Sequence, residues 1–227
     1  MYPRRLVALL VGALAVTTAC TGAQDPDPAA ADRAASSSPS AEDEPYPEPT
    51  PVTVGALTSA ELQGGWWNWA ASTGEARNPI TDQDGHLCAQ GQAEDVWRLA
   101  GTRGGAARRT CTVPLGLPVV FPIVNTFGEA SDCLEFMDGA HGSATLDGRA
   151  LKAEELGATP IDLGTHDGNP FTGVEDHFHT WSCGLWVRLE PLPAGSHELS
   201  FQGGSGSFST SVDYHLEVAR PVPAGAV

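Results

Sequence analysis

Towards the C-terminus, Val212, Tyr214, Leu216 and Val218 alternate with Asp213, His215 and Glu217. A period of two places the four apolar side chains on one face of a half-buried strand. The same rhythm runs through Leu185–Leu189 and His197–Phe201, which are separated by Glu190-Pro191-Leu192-Pro193-Ala194-Gly195-Ser196. Prolines that cannot donate to a ladder, and a permissive glycine, suit that segment to a turn. The three runs are predicted to be neighbouring antiparallel strands of one sheet. Val187, Leu189, Leu199, Phe201, Val212, Tyr214, Leu216 and Val218 are expected to face the core. Leu185, Val187 and Leu189 share one face, which leaves Trp186 and Arg188 on the other. Trp186 is therefore the expected surface aromatic of a binding face.

Earlier segments carry other periods. Thr58-Ser59-Ala60-Glu61 has the Thr-x-x-Glu form of a helix capping box. Leu62, Trp66, Trp69 and Thr73 follow at three- and four-residue spacing, which predicts a helix of about three turns ending before Asn78-Pro79. Gly64 and Gly65 each weaken it by about 1 kcal/mol, so its tryptophans must pack on something. Trp66, Trp69 and Trp97 are expected in the core, whereas Trp67 and Trp181 are less constrained. Val96–Ala100 reads as a short strand. Leu117–Val124, LPVVFPIV, reads as a buried strand that Pro118 and Pro122 push to a sheet edge or break. Ser143–Leu146 and Arg149–Leu151 flank Asp147-Gly148, a strong hairpin signal. Gly203-Gly204-Ser205-Gly206-Ser207 is read as a turn between two strands. Short strands with Gly/Pro turns, one N-terminal helix and a disordered linker define the expected architecture. It is mainly β, an antiparallel sandwich or jelly-roll-like domain over residues 55–220, with a tail at 221–227.

Composition adds location. The 227-residue chain carries 12 Lys plus Arg against 28 Asp plus Glu, a formal net charge of −16, and Lys152 is its one lysine. Such a chain repels phosphate backbones, which argues against a nucleic-acid partner. Arg4 and Arg5 precede an uncharged run of 14 residues, Leu6–Ala19, and then Cys20. This is the layout of a secretory signal over residues 1–19. It resembles a bacterial lipoprotein signal, although Thr17 stands where leucine is usual. The resemblance implies lipidation of Cys20 and a lipid anchor in the cell membrane. Within residues 20–54, the stretch from Thr21 holds seven carboxylates and one cation, Arg33. It is too poor in apolar side chains to offset its ordering entropy and is expected to be a disordered tether.

Cys88, Cys111, Cys133 and Cys183 remain, an even number in a domain expected outside the cytoplasm. They read as two disulfides. Three pairings are open. Cys88–Cys111 and Cys133–Cys183 are favoured: the first closes a local loop around the Val96 strand, and the second ties the central region to the later strands. Each is worth about 3–5 kcal/mol by loop entropy. The absence of any Cys-x-x-Cys pair argues against zinc.

Residues 66–125 read WWNWAAS…NPITDQDGHLCAQGQAEDVWRLAG…RRTCTVPLGLPVVFPIVN, followed later by GLWVRLEPLPAGSHELSFQGG and DYHLEV. The set is similar to a family of secreted bacterial proteins and lipoproteins. Shared features are the Trp-rich helix, Asn-Pro, Cys…Gly-Gln…Val-Trp, Arg-x-Cys-x-Val-Pro, Phe-Pro-x-x-Asn and Pro-Leu-x-x-Gly-x-His. Members often carry phenylalanine where this chain has Arg98. The resemblance spans most of residues 60–218 and implies secretion and domain limits rather than a chemistry.

The chemistry on offer is sparse. In Glu175-Asp176-His177-Phe178-His179, a strand would put His177 and His179 on one face, about 6–7 Å apart. That suits two imidazole ligands of one metal ion, with His166, Asp167 or Glu175 as a third. Such an ion is the one cofactor the chain suggests. Asp82-Gln83-Asp84-Gly85 faintly resembles a calcium loop but lacks the closing glutamate in register. Asp132, Glu135 and Asp138 read as loop carboxylates. No nucleophile elbow or P-loop is present. Two functions follow as expectations. The first is an anchored, non-catalytic module that binds a cell-envelope or extracellular ligand; the second is a metal-dependent enzyme centred on His177 and His179.

Overall fold

A computed structural model describes residues 56–220. In chain order the elements are α1 (Ser59–Ala70), β1 (Trp97–Arg98), β2 (Gly105–Pro114), β3 (Val119–Gly128), α2 (Ala130–Gly139), β4 (His141–Leu146), β5 (Arg149–Ala150), β6 (Glu154–Thr165), β7 (Asp176–Leu189), β8 (Gly195–Ser205) and β9 (Phe208–Ala219). The domain is mainly β. One sheet has the order β1-β3-β7-β6 and the other β2-β9-β8-β4-β5. Cys20, the expected signal and tether segments (residues 1–19 and 20–54) and residues 221–227 lie outside the described residues.

Two apolar layers hold three structural ones together. Between the sheets, Phe121, Val187, Leu199, Phe201, Val212, Tyr214, Leu216 and Val218 form one core. Phe121 stacks on Phe201 at 4.9 Å between centroids. On the far side of the first sheet, α1 lays Leu62, Trp66, Trp67 and Trp69 over Val120, Ile161, Leu163 and Trp186. The capping box forms: Thr58 Oγ1 accepts from the Glu61 N–H at 3.2 Å, and the Glu61 carboxylate accepts from the Thr58 N–H at 2.8 Å. Asn68 docks the helix on β6, donating to Asp162 O and accepting from the Gly164 N–H, both at 2.8 Å. The helix ends at Ala70, eight residues before Asn78, whose side-chain amide donates to the Ala70 carbonyl at 2.8 Å. Both expected disulfides are formed, with Cα–Cα distances of 5.8 Å for Cys88–Cys111 and 5.7 Å for Cys133–Cys183. They fit an extracytoplasmic location. Among the described residues, no helix is long and apolar enough to cross a membrane.

Several expectations need correction. The sheets are mixed, since β1 runs parallel to β3 and β2 parallel to β9. Residues 185–189 do not neighbour 197–201 and 212–218; they belong to β7, in the other sheet. The segment with Pro191 and Pro193 carries the chain from one sheet to the other, so it is a crossover instead of a hairpin turn. All eight side chains expected in the core are nevertheless buried, because both sheets face the same core. A second helix, α2, holds Asp132, Glu135 and Asp138 and is bonded to β7 through Cys133. The Ser143–Leu151 hairpin forms at Asp147-Gly148, with φ of 50° and 75°. Gly203 and Gly204 lie within β8, and the connection to β9 is only Gly206-Ser207.

Candidate functional site

An aromatic-lined cleft begins where β1 stops. Its two residues pair with Val119 and Val120, and the Leu99 N–H donates to Val120 O at 3.0 Å. The chain then turns away to the other sheet. The Ala100 N–H donates to Tyr214 Oη at 3.1 Å, and the Tyr214 hydroxyl donates to Ala100 O at 2.8 Å. The Thr102 N–H donates to Thr210 Oγ1 at 3.3 Å. Behind this junction lies Arg109, 1 % exposed. Its guanidinium donates to Asp82 O, Ala100 O, Gly101 O, Ile80 O and Tyr214 Oη over 2.6–3.3 Å. A buried cation is tolerated because backbone and hydroxyl oxygens surround it. Tyr214 and Arg109 thus fix the point at which β1 peels off β3.

Past Val120, β3 has no strand partner on that side among the described residues. Pro122 sits at this change, opposite Trp186, and a bulge between Pro122 and Val124 shifts the register against β7. Of the two readings of the prolines, the edge is realised past Val120, whereas the strand is bulged at Pro122 without being broken, and Pro118 precedes β3. Gly184 permits the close crossing of β7 at the bulge, since a Cβ on it would run into Val124 O.

The space left by the diverted chain is a cleft of about 500 Å³, within the usual range for ligand sites. One wall is the edge of β3 from Pro122 to Phe127. Trp66, Trp67 and Phe171 line one side, Phe136 and Phe208 the other. Phe127 meets Trp67 edge-on at 4.8 Å, and Trp67 meets Phe171 at 5.1 Å. The Trp67 indole N–H is already committed to Ser182 Oγ at 2.9 Å. Asn125 also lines the cleft, and its Nδ2 is buried without a hydrogen-bond partner. Such an orphan donor costs about 1–3 kcal/mol until an acceptor arrives. Arg103 is the sole charged lining residue, and Glu75 Oε1 meets its Nη2 at 2.7 Å.

The residues singled out from sequence lie elsewhere. Trp186 is not a surface aromatic; it is 0 % exposed, beneath α1 and 5.9 Å from the Trp66 ring. The sheet is covered on both faces, so alternation along β7 separates two cores instead of core from solvent. The exposed tryptophan is Trp181, at 36 %. His177 and His179 lie exposed on β7, as the strand reading requires. Asp162 is the cross-strand neighbour of His179 and pairs with it, whereas the neighbour of His177 is Gly164, which offers no ligand. His166 turns its Nδ1 to Asp167 O at 2.6 Å.

Among the described residues, three ligand-type side chains converge at Asp82, Asp84 and His86. Their contacts are those of a loop staple. Asp82 accepts from the N–H groups of Asp84, Gly85 and Leu87 at 2.8–3.2 Å. The His86 ring lies 2.5 Å from Asp84 Oδ1, which draws the Asp84 carboxyl down to about 2 and raises the imidazole above its ordinary value. The loop delivers Asp82 O to Arg109.

Sequence reading missed two residues. Arg109 falls in the buried phase of Ala107, Cys111 and Val113, so its period marked it. Asn125 is the last residue of the Phe-Pro-x-x-Asn element. No family model, curated protein or solved structure matches the chain.

Proposed function

We propose that the protein is a lipid-anchored extracytoplasmic binding module that takes its ligand in the cleft beside β3. The cleft carries the reading: aromatic side chains form two of its sides, and Asn125 Nδ2 is buried without a hydrogen-bond partner. Its lining holds no Asp, Glu, His, Lys or Cys, the side chains that general acid–base and most nucleophilic chemistry require. Binding fits that composition better than catalysis. The signal-like segment ending at Cys20, the resemblance to secreted bacterial proteins and lipoproteins, and the two disulfides support export and anchoring.

Both parts are tested on the full chain. Cys20→Ser is expected to release the protein from bacterial membranes or block its maturation; unchanged processing and partition would refute the anchor. In NMR titrations, N-methylacetamide and benzyl alcohol are expected to perturb Trp67, Asn125, Phe127 and Phe171 together. Ser207→Trp, at an exposed position on the cleft, is expected to abolish these shifts without unfolding the domain. Shifts scattered over the surface, or indifferent to Ser207→Trp, would sink the binding reading.

A further inference from the structure

Resting on that reading of the cleft, we propose that its ligand is an extended, uncharged peptide segment of another protein, which adds to the open edge of β3 as a further strand. The main chain of β3 supplies the first reason. Ser182 Oγ lies 3.1 Å from Thr126 O, and Thr180 Oγ1 donates to Gly128 O at 2.8 Å, so these carbonyls face β7. Strand groups alternate in direction, which turns the N–H and C=O of Asn125 and Phe127 towards the cleft. Val120 O, before the bulge, faces the same side and is taken by Leu99. The diverted chain thus leaves a ladder begun and not continued. Residues 122–127 offer roughly 20 Å of edge at about 3.3 Å per residue. Donors and acceptors repeated every second residue match another extended polypeptide, the recognition mode of strand addition.

The side walls supply the second reason. A strand added to this sheet sends successive side chains to its two faces. One set would meet Trp67 and Phe171, on the α1 side; the other would meet Phe136 and Phe208, on the side of the inter-sheet core. Both faces are apolar. Charge supplies the third reason. The one charged lining residue, Arg103, is already matched by Glu75, so a charged peptide residue would lose its hydration with no free partner. Valine- and threonine-rich neutral sequence fits all three conditions.

The probe is acetyl-Thr-Val-Thr-Val-Ser-amide, titrated into the full chain. At saturation, exchange of the Asn125 and Phe127 amides is expected to slow by about tenfold or more, as newly bonded strand amides do. N-methylation of alternate peptide residues is expected to weaken binding about tenfold, and methylation of the intervening residues far less, since only every second N–H faces β3. Ser207→Trp is expected to weaken the parent peptide comparably. Binding without a period-two response to methylation would overturn strand addition. Binding of benzyl alcohol and N-methylacetamide but not of the peptide would overturn it while leaving the cleft as a ligand site. Failure of all three probes would remove both readings. Two further results would reassign the edge and overturn a foreign peptide as occupant. They are protection of both amides in the free monomeric chain, pointing to its own residues 49–54, and concentration-dependent dimerisation that protects them, pointing to a second copy.

Discussion

Replacing Tyr214 by Phe removes one oxygen from the junction that diverts the chain after β1. The hydroxyl accepts from the Ala100 N–H at 3.1 Å and from Arg109 Nη1 at 2.8 Å, and donates to Ala100 O at 2.8 Å. Tyr214 is 1 % exposed and Ala100 2 %, so water does not replace the lost partner. A buried N–H left unsatisfied costs about 1–3 kcal/mol, and the lost bond to a charged group adds about 1.5–3 kcal/mol. Ala100 O retains Arg109 at 2.6 Å, and the phenyl ring keeps its stacking on Phe201, so the packing contribution survives. Phenylalanine also avoids the cost of burying a hydroxyl, which offsets part of this sum, and a net loss of about 2–4 kcal/mol is expected. For a domain of this size that is a fall in Tm of roughly 4–16 °C. Urea unfolding followed by tryptophan fluorescence measures it, with amide exchange at Ala100 as the local readout. A loss under about 0.5 kcal/mol with Ala100 still protected would refute the claim that Tyr214 holds the diverted chain.

Three other outcomes follow. Trp186→Ala should cost about 3–5 kcal/mol in the same assay, as for large buried aromatics, and Trp181→Ala under about 1; similar costs would contradict the three-layer arrangement. On β9, Leu216→Ala should cost about 2–5 kcal/mol and Glu217→Ala far less, since its bonds to Ser196 and His215 lie at the surface. The third concerns pH. The Asp147 carboxylate, 2.8 Å from His197 Nδ1, raises that imidazole above 6.5, while the same bond holds the Asp147 carboxyl below 3.8. The contribution of His197 to stability is full below pH 6.5 and is lost as pH rises through its raised value; that of Asp147 is full above 3.8 and is lost as pH falls through its lowered value. Asp147→Asn should return the His197 titration towards 6.5 by NMR, and an unmoved titration would break the argument.

Period-two alternation read the buried phases of β7, β8 and β9 correctly because every inward position lies against a core, whichever sheet owns the strand. It misassigned β7 to a sheet for the same reason: alternation records a face, not a partner. The four cysteines and the Asp147-Gly148 turn were legible from local chemistry. Trp186 was misread because an apolar–polar alternation cannot distinguish solvent from a second core, and the helix that covers it lies more than a hundred residues earlier. The cleft was not legible at all. It exists because Tyr214 and Arg109, far apart in sequence, capture the backbone of Ala100, and no local pattern encodes a strand that ends early. α2 escaped notice because its cap is acidic, the Glu129 N–H donating to Asp132 Oδ2 at 2.9 Å, where a Ser or Thr box is the usual signature.

The open edge of β3 is measured most directly by residue-resolved amide exchange in the free, full-length chain. Val124, Thr126 and Gly128 face β7 and should exchange slowly, while Asn125 and Phe127, facing the cleft, should exchange faster by about a hundredfold or more, as amides outside a ladder do. Uniformly slow exchange from Val124 to Gly128 would show the edge already paired and would contradict the account of the site.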